Sequence, residues 1–109
     1  MVKPEIIASV RKYLVALLEQ GIEPSFGVIF GSFATGRECK WSDIDLMVVA
    51  KRFDASRRYE DRALLWITAG RVDNRIEPIP CGEKQWEEDD GIPIIEIARR
   101  EGIIVRVDD

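Results

Sequence analysis

Histidine is absent from the 109 residues, and its absence removes the commonest general base, the Ser-His-Asp triad and most zinc sites together. Any chemistry must therefore draw on carboxylates, basic side chains, hydroxyls or a borrowed metal ion. Cysteine is scarce: Cys39 and Cys81 belong to no CxxC pair or metal-ligand spacing and read as ordinary reduced thiols. No apolar run approaches the roughly 18 residues that a membrane span needs. The opening Met-Val-Lys-Pro-Glu leads straight into a helical pattern bearing Arg11, Lys12 and Glu19, so the expectation is a soluble cytoplasmic protein without a membrane partner. Surplus positive charge is missing as well. The 16 lysines and arginines face 20 acids, a net charge of −4, which leaves nothing to neutralise a long run of phosphates and excludes general nucleic-acid binding.

What is present is enough apolar material for one core: 46% of the residues are hydrophobic, and the length is that of a single domain spanning residues 1–109, without room for a second catalytic or substrate domain. Pro4 suits a first helical turn, and Ile6, Ile7, Val10, Leu14, Leu17 and Leu18 recur at helical spacing until Gly21. Phe26 to Phe30, between Pro24 and Gly31, predicts a short inner strand. Ile44 to Ala50, almost continuously apolar, predicts a central strand covered on both faces. Asp54 or Ser56 can cap a helix from about Arg57 to Ala69, ended by Gly70, with Leu64, Leu65 and Ile67 facing inward. Val72, Asn74 and Ile76 alternate with Asp73, Arg75 and Glu77, which predicts a half-buried strand whose end or edge takes Pro78 and Pro80. A polar stretch from Glu83 to Asp90 precedes Pro93, a last helix from Ile94 to about Glu101, and a short strand within Ile103 to Val107. Trp41, Trp66 and Trp86 read as core or interface anchors, because no basic groove accompanies them. The pattern is that of a small α/β domain.

The chemistry concentrates in Gly31-Ser32-Phe33-Ala34-Thr35-Gly36 and, after a short loop, Ser42-Asp43-Ile44-Asp45-Leu46. A glycine at a strand end lets backbone approach a bulky anion, and a short helix begun at Ser32 would point free N–H groups and a hydroxyl toward a phosphate. Asp43 and Asp45, two apart on a strand, leave the same face about 6.6 Å apart along the backbone, while Ile44 and Leu46 point into the core. Two acids at the mouth of an apolar strand repel unless a cation lies between them, and oxygen ligands of this kind suit Mg²⁺ completed by water and substrate phosphate. A third carboxylate is expected from the neighbouring strand. Glu77, late in that strand before Pro78, is the candidate. Asp73 is its rival on the same face, roughly 13 Å away. A surface ion pair between Glu77 and Arg75 is the alternative use of Glu77.

Gly31-Ser32, ten intervening residues, and Asp43-Ile44-Asp45 before an apolar strand resemble the polymerase-beta-type nucleotidyltransferase superfamily, and the length resembles its minimal branch. The resemblance covers roughly residues 22 to 80. It implies an α/β nucleotidyltransferase fold with a small mixed β-sheet flanked by helices. It also implies that Ser32 contacts the triphosphate, that Asp43 and Asp45 bind Mg²⁺, with two ions in the reacting complex, and that Glu77 stands where the family's third acid, usually aspartate, binds metal or activates the nucleophile. Thr35 occupies the position at which minimal members often carry arginine, so a triphosphate contact is either missing or supplied by Arg37 or Lys40, beside Gly36. The implied reaction is attack of an acceptor hydroxyl on the α-phosphorus of a nucleoside triphosphate, ATP by default, with pyrophosphate leaving.

The acceptor is not written in these residues. By resemblance, minimal members pair with helical HEPN-domain toxins as antitoxins, some adding AMP to a toxin tyrosine. Two alternatives stand beside this: a non-catalytic antitoxin or adaptor that retains the fold, and a subunit of an aminoglycoside-type nucleotidyltransferase. Oligomerisation is compatible with each.

Overall fold

The structure is a computed structural model describing residues 2–37, 42–55 and 59–108. The chain opens with helix α1 (Pro4–Glu19), begun by Pro4 in its first turn and buried along Ile6, Val10, Tyr13, Leu14 and Leu17. Strand β1 (Phe26–Phe30) and the one-turn helix α2 (Ser32–Thr35) follow, then β2 (Ile44–Ala50), a second short helix α3 (Arg52–Ala55) and α4 (Tyr59–Val72). Strand β3 (Ile76–Gly82), α5 (Glu83–Glu88), α6 (Pro93–Glu101) and β4 (Ile103–Val105) complete the order.

The strands form one mixed sheet in the order β3-β2-β1-β4. β1 pairs antiparallel with β2 and β4, and β2 pairs parallel with β3. Alternation along the strands divides the core in two. Ile29, Ile44, Leu46, Val48 and Ala50 pack with α1 and α4 residues on one face. Val28, Phe30, Met47, Val49 and Cys81 pack with Ile95 and Ala98 of α6 on the other. Both faces of the central strands are thus covered, which explains the unbroken apolar runs. Tyr13 joins α1 to α4, its buried hydroxyl donating to the Leu65 carbonyl at 2.9 Å; burial pushes this phenol well above its usual pKa.

Several boundaries differ from the sequence reading. α4 runs through Gly70 to Val72 instead of stopping at the glycine, which is exposed and costs the helix only about 1 kcal/mol relative to alanine. Its inner face is Asp61, Leu65, Thr68 and Ala69, and Ile67 is 53% exposed. Asp61 can be buried there because Arg52 donates to it at 3.0 Å. The strand expected from residue 72 begins only at Ile76, because Asp73 and its neighbours form a turn. Glu77 therefore lies near the start of β3, not late in it. Pro78 and Pro80 sit within an edge strand, as their missing donors require. Asp54 caps α5, accepting the backbone N–H groups of Lys84 at 2.9 Å and Gln85 at 3.3 Å. Ser56 and Arg57 lie outside the described residues.

Candidate active site

The acids meet because of sheet register. Asp45 is the Cα partner of Phe30 on one side and of Glu77 on the other. It shares its face with Met47 and Val49, just as Glu77 shares one with Ile79 and Cys81. This face is apolar under α6 and carries acids at its other end. Asp43 immediately precedes β2 and is exposed; Asp45 and Glu77 are half-buried. Ile44 and Leu46 are fully buried on the opposite face, as the alternation requires.

Glu77 hydrogen-bonds with both Asp43 and Asp45, donating when protonated. Burial first, and then the charge of Asp43, push its carboxyl above the usual glutamate range; the hydrogen bonds to the two aspartates and the charge of Asp45 act the same way. Burial also raises Asp45, opposed by its hydrogen bond from Glu77 and reinforced by the charge of Asp43. These are the marks of carboxylates crowded together. Among the described residues no three His, Cys, Asp or Glu side chains form a ready metal cage. The donor set is nevertheless all oxygen, of the hard kind that Mg²⁺ takes through one or two carboxylates while keeping water and phosphate as its other ligands.

Gly31 ends β1 beside this group. Its φ of 73° and ψ of −147° lie close to a region almost restricted to glycine, and a Cβ there would overlap Oδ2 of Asp45. The close approach anticipated at this glycine is thus made first to the aspartate. Gly31 leads directly into α2, whose first residue is Ser32, and its carbonyl accepts the N–H groups of Ala34 at 3.1 Å and Thr35 at 3.2 Å. The Thr35 hydroxyl also donates to that carbonyl, at 3.1 Å, and so braces the turn from within. Gly36, at φ 75°, closes the turn as a left-handed cap, with the Arg37 N–H on the Ser32 carbonyl at 2.9 Å. Arg37 is exposed. Lys40, Cys39 and Trp41 lie outside the described residues.

The rival acid is otherwise engaged. Asp73 accepts the Arg75 guanidinium on both oxygens, at 3.0 and 2.7 Å, so Arg75 pairs with Asp73 and not with Glu77. The sequence reading missed this turn, although an aspartate two residues before an arginine after a helix was a signal for it. Trp66 is 53% exposed on α4, which removes it from the core, while Trp86 meets Phe26 edge-on at 5.7 Å. A cavity of about 530 Å³, lined by Ser25, Lys51, Arg52 and Glu83 among others, opens at the opposite end of β1 and β2 from the acids.

Residues 12–76 match the family described as "Polymerase beta, Nucleotidyltransferase". The chain belongs to the polymerase-beta-type nucleotidyltransferases. The family match contains Gly31, Asp43 and Asp45 and ends one residue before Glu77. No curated protein matches the sequence. Among solved structures, this nucleotidyltransferase domain is similar to a protein from Sulfolobus solfataricus described as a candidate nucleotidyltransferase, with a TM-score of 0.62 and 16% identity, covering 92% of this chain and 78% of the other. It is also similar to a chain in a toxin–antitoxin structure with AMP-PNP, with a TM-score of 0.60 and 18% identity over 87% and 71% of the two chains. At such identities these likenesses establish the α/β nucleotidyltransferase fold and nothing finer. Among the described residues no helix is long and apolar enough to cross a membrane.

Proposed function

We propose that this nucleotidyltransferase moves AMP from ATP to a hydroxyl of a protein partner. The observation that carries the reading is the convergence of Glu77 on Asp43 and Asp45 beside the Gly31–Ser32 turn. Asp43 and Asp45 would hold Mg²⁺, with two ions in the reacting complex. Bound there, the metal supplies positive charge to the attacking and leaving oxygens. Glu77 either adds a ligand or takes the proton of the acceptor hydroxyl, for which its raised affinity for a proton suits it. Ser32 offers its hydroxyl and the start of α2 to the triphosphate, and Arg37, with Lys40, supplies the charge that Thr35 does not. The hydroxyl oxygen bonds to the α-phosphorus, the bond to the bridging oxygen breaks, and pyrophosphate leaves.

The toxin–antitoxin relative with AMP-PNP favours a toxin as the acceptor, and we assign the partner as a helical HEPN-type protein modified on a tyrosine in the cytoplasm. A second reading, a non-catalytic antitoxin, rests on Thr35 and Glu77, the two positions that depart from the residues the family usually carries. Incubation with ATP and Mg²⁺, with and without the product of the adjacent gene, followed by mass spectrometry of both proteins, separates them. An AMP adduct on the partner that Glu77→Gln does not form supports the enzyme. Neutralisation of the partner without any adduct supports the scaffold.

A further inference from the structure

Between α4 and β3 the chain passes through a turn that no function has so far claimed. The Asp73 N–H closes α4 on the Ala69 carbonyl at 2.9 Å, and the Asp73 carbonyl accepts the Ile76 N–H at 3.0 Å. Its side chain reaches forward: Oδ1 accepts the Arg75 backbone N–H at 3.0 Å as well as the Arg75 Nε, and Oδ2 takes the terminal guanidinium nitrogen. Ser9 of α1 adds a further hydrogen bond to the same carboxylate. Arg75 is thereby held by both its backbone and its side chain. Its carbonyl then accepts the Ile44 N–H at 2.7 Å, at the start of the β2–β3 pairing. Ile44 lies between Asp43 and Asp45, and Glu77 follows Arg75 by two residues.

We propose that Asp73 is a positioning residue for the acidic site, fixing through Arg75 the start of the β2–β3 pairing and with it the placement of Asp43 and Asp45 against Glu77. The physical reason is geometric. Asp43 stands one residue before β2, next to this first pairing, and a side chain that holds two covalently adjacent groups in one geometry loses less on ordering than two independent contacts would. A bidentate carboxylate–guanidinium pair also resists rotation where a single bond does not. The proposal rests on the metal-dependent reading of the site, and its test has one arm that needs no metal.

That arm is amide hydrogen exchange, comparing Ile44 with Val28 in the middle of β1. In Asp73→Ala the Ile44 amide should exchange at least about tenfold faster relative to Val28, because the pairing opens locally and not with the whole sheet. Asp73→Asn keeps an acceptor for the Arg75 N–H and should show a smaller increase of the same kind; it also keeps the test decisive if the alanine variant does not fold. Tyr13→Phe, whose lost hydrogen bond to the Leu65 carbonyl lies outside the sheet, serves as the control for general destabilisation and should speed both amides together. The second arm is Mn²⁺ affinity by electron paramagnetic resonance, which should fall at least about tenfold in Asp73→Ala and less in Asp73→Asn, as for supports of metal ligands generally. Equal acceleration of Ile44 and Val28 in the Asp73 variants, or unchanged Mn²⁺ affinity, overturns the proposal. Wild-type protein that binds no Mn²⁺ overturns the functional reading instead, and the Ile44 exchange distinguishes the two failures.

Discussion

The carboxylate of Asp45 occupies the space that a Cβ on Gly31 would need. One residue thus serves two demands, a backbone conformation available almost only to glycine and a side-chain-free surface against an acid. Gly31→Ala should destabilise the fold by about 1–3 kcal/mol and displace Asp45. Urea unfolding should report the first effect. Calorimetry with Mg²⁺ and a non-hydrolysable ATP analogue should report the second as lost binding under conditions where the variant remains folded. Wild-type affinity in a folded Gly31→Ala protein would mean that the nucleotide lies elsewhere.

Glu77 ties stability to pH in the metal-free protein. Its carboxyl is raised above the unfolded value, so the folded state binds the proton more tightly. The stability this contributes is full below the ordinary glutamate value of about 4.3 and is lost as pH rises through the higher folded value. Glu77→Gln keeps a neutral donor at every pH. It should therefore be more stable than wild type at neutral pH without metal, with the difference vanishing in acid and shrinking when Mg²⁺ is added. Melting temperatures across pH 3–8 (a range set by the carboxylate window) check this, and a Glu77→Gln protein less stable than wild type at neutral pH would refute it.

Asp73 titrates with the opposite sign. Its hydrogen bond from the Arg75 side chain, ahead of burial, which acts the other way, lowers its pKa. Stability from this group is present above the ordinary aspartate value of about 3.9 and is lost as pH falls through the lower folded value. The advantage of wild type over Asp73→Asn in urea should accordingly be constant near neutrality and disappear in strong acid. A constant advantage at all pH values would remove the charge pair from the explanation.

Tyr13 supplies a control remote from the chemistry. Tyr13→Phe removes the hydrogen bond to the Leu65 carbonyl and should cost about 1 kcal/mol. Once allowance is made for the folded fraction, nucleotide transfer should be unchanged.

The central strands were readable because β1 and β2 are buried on both faces and stopped by Gly31 and Lys51, so local composition and tertiary burial agree. The Gly31–Ser32 and Asp43–Asp45 spacings were readable because the first sits at a strand-to-helix turn and the second at a strand entry, both set locally. What escaped was non-local. The alternation from Val72 to Glu77 resembles a strand, yet Val72 ends a helix and the Asp73 carboxylate captures Arg75 to make a turn. Likewise α5 hides in a polar stretch because its cap is Asp54, 30 residues before Lys84. The inner face of α4 could not be ranked by hydrophobicity when an ion pair from Arg52 lets Asp61 point inward.

The most direct measurement is transfer of label from α-³²P-ATP with Mg²⁺ to the product of the adjacent gene, comparing wild type with the Asp43→Asn/Asp45→Asn double variant. Asp43 is exposed and Asp45 half-buried, and neither belongs to the apolar clusters of the core, so the variant should fold, as circular dichroism would verify. The expected result is a labelled partner with wild type and none with the folded double variant. A partner labelled equally by both proteins would contradict the assignment of these aspartates to the chemistry.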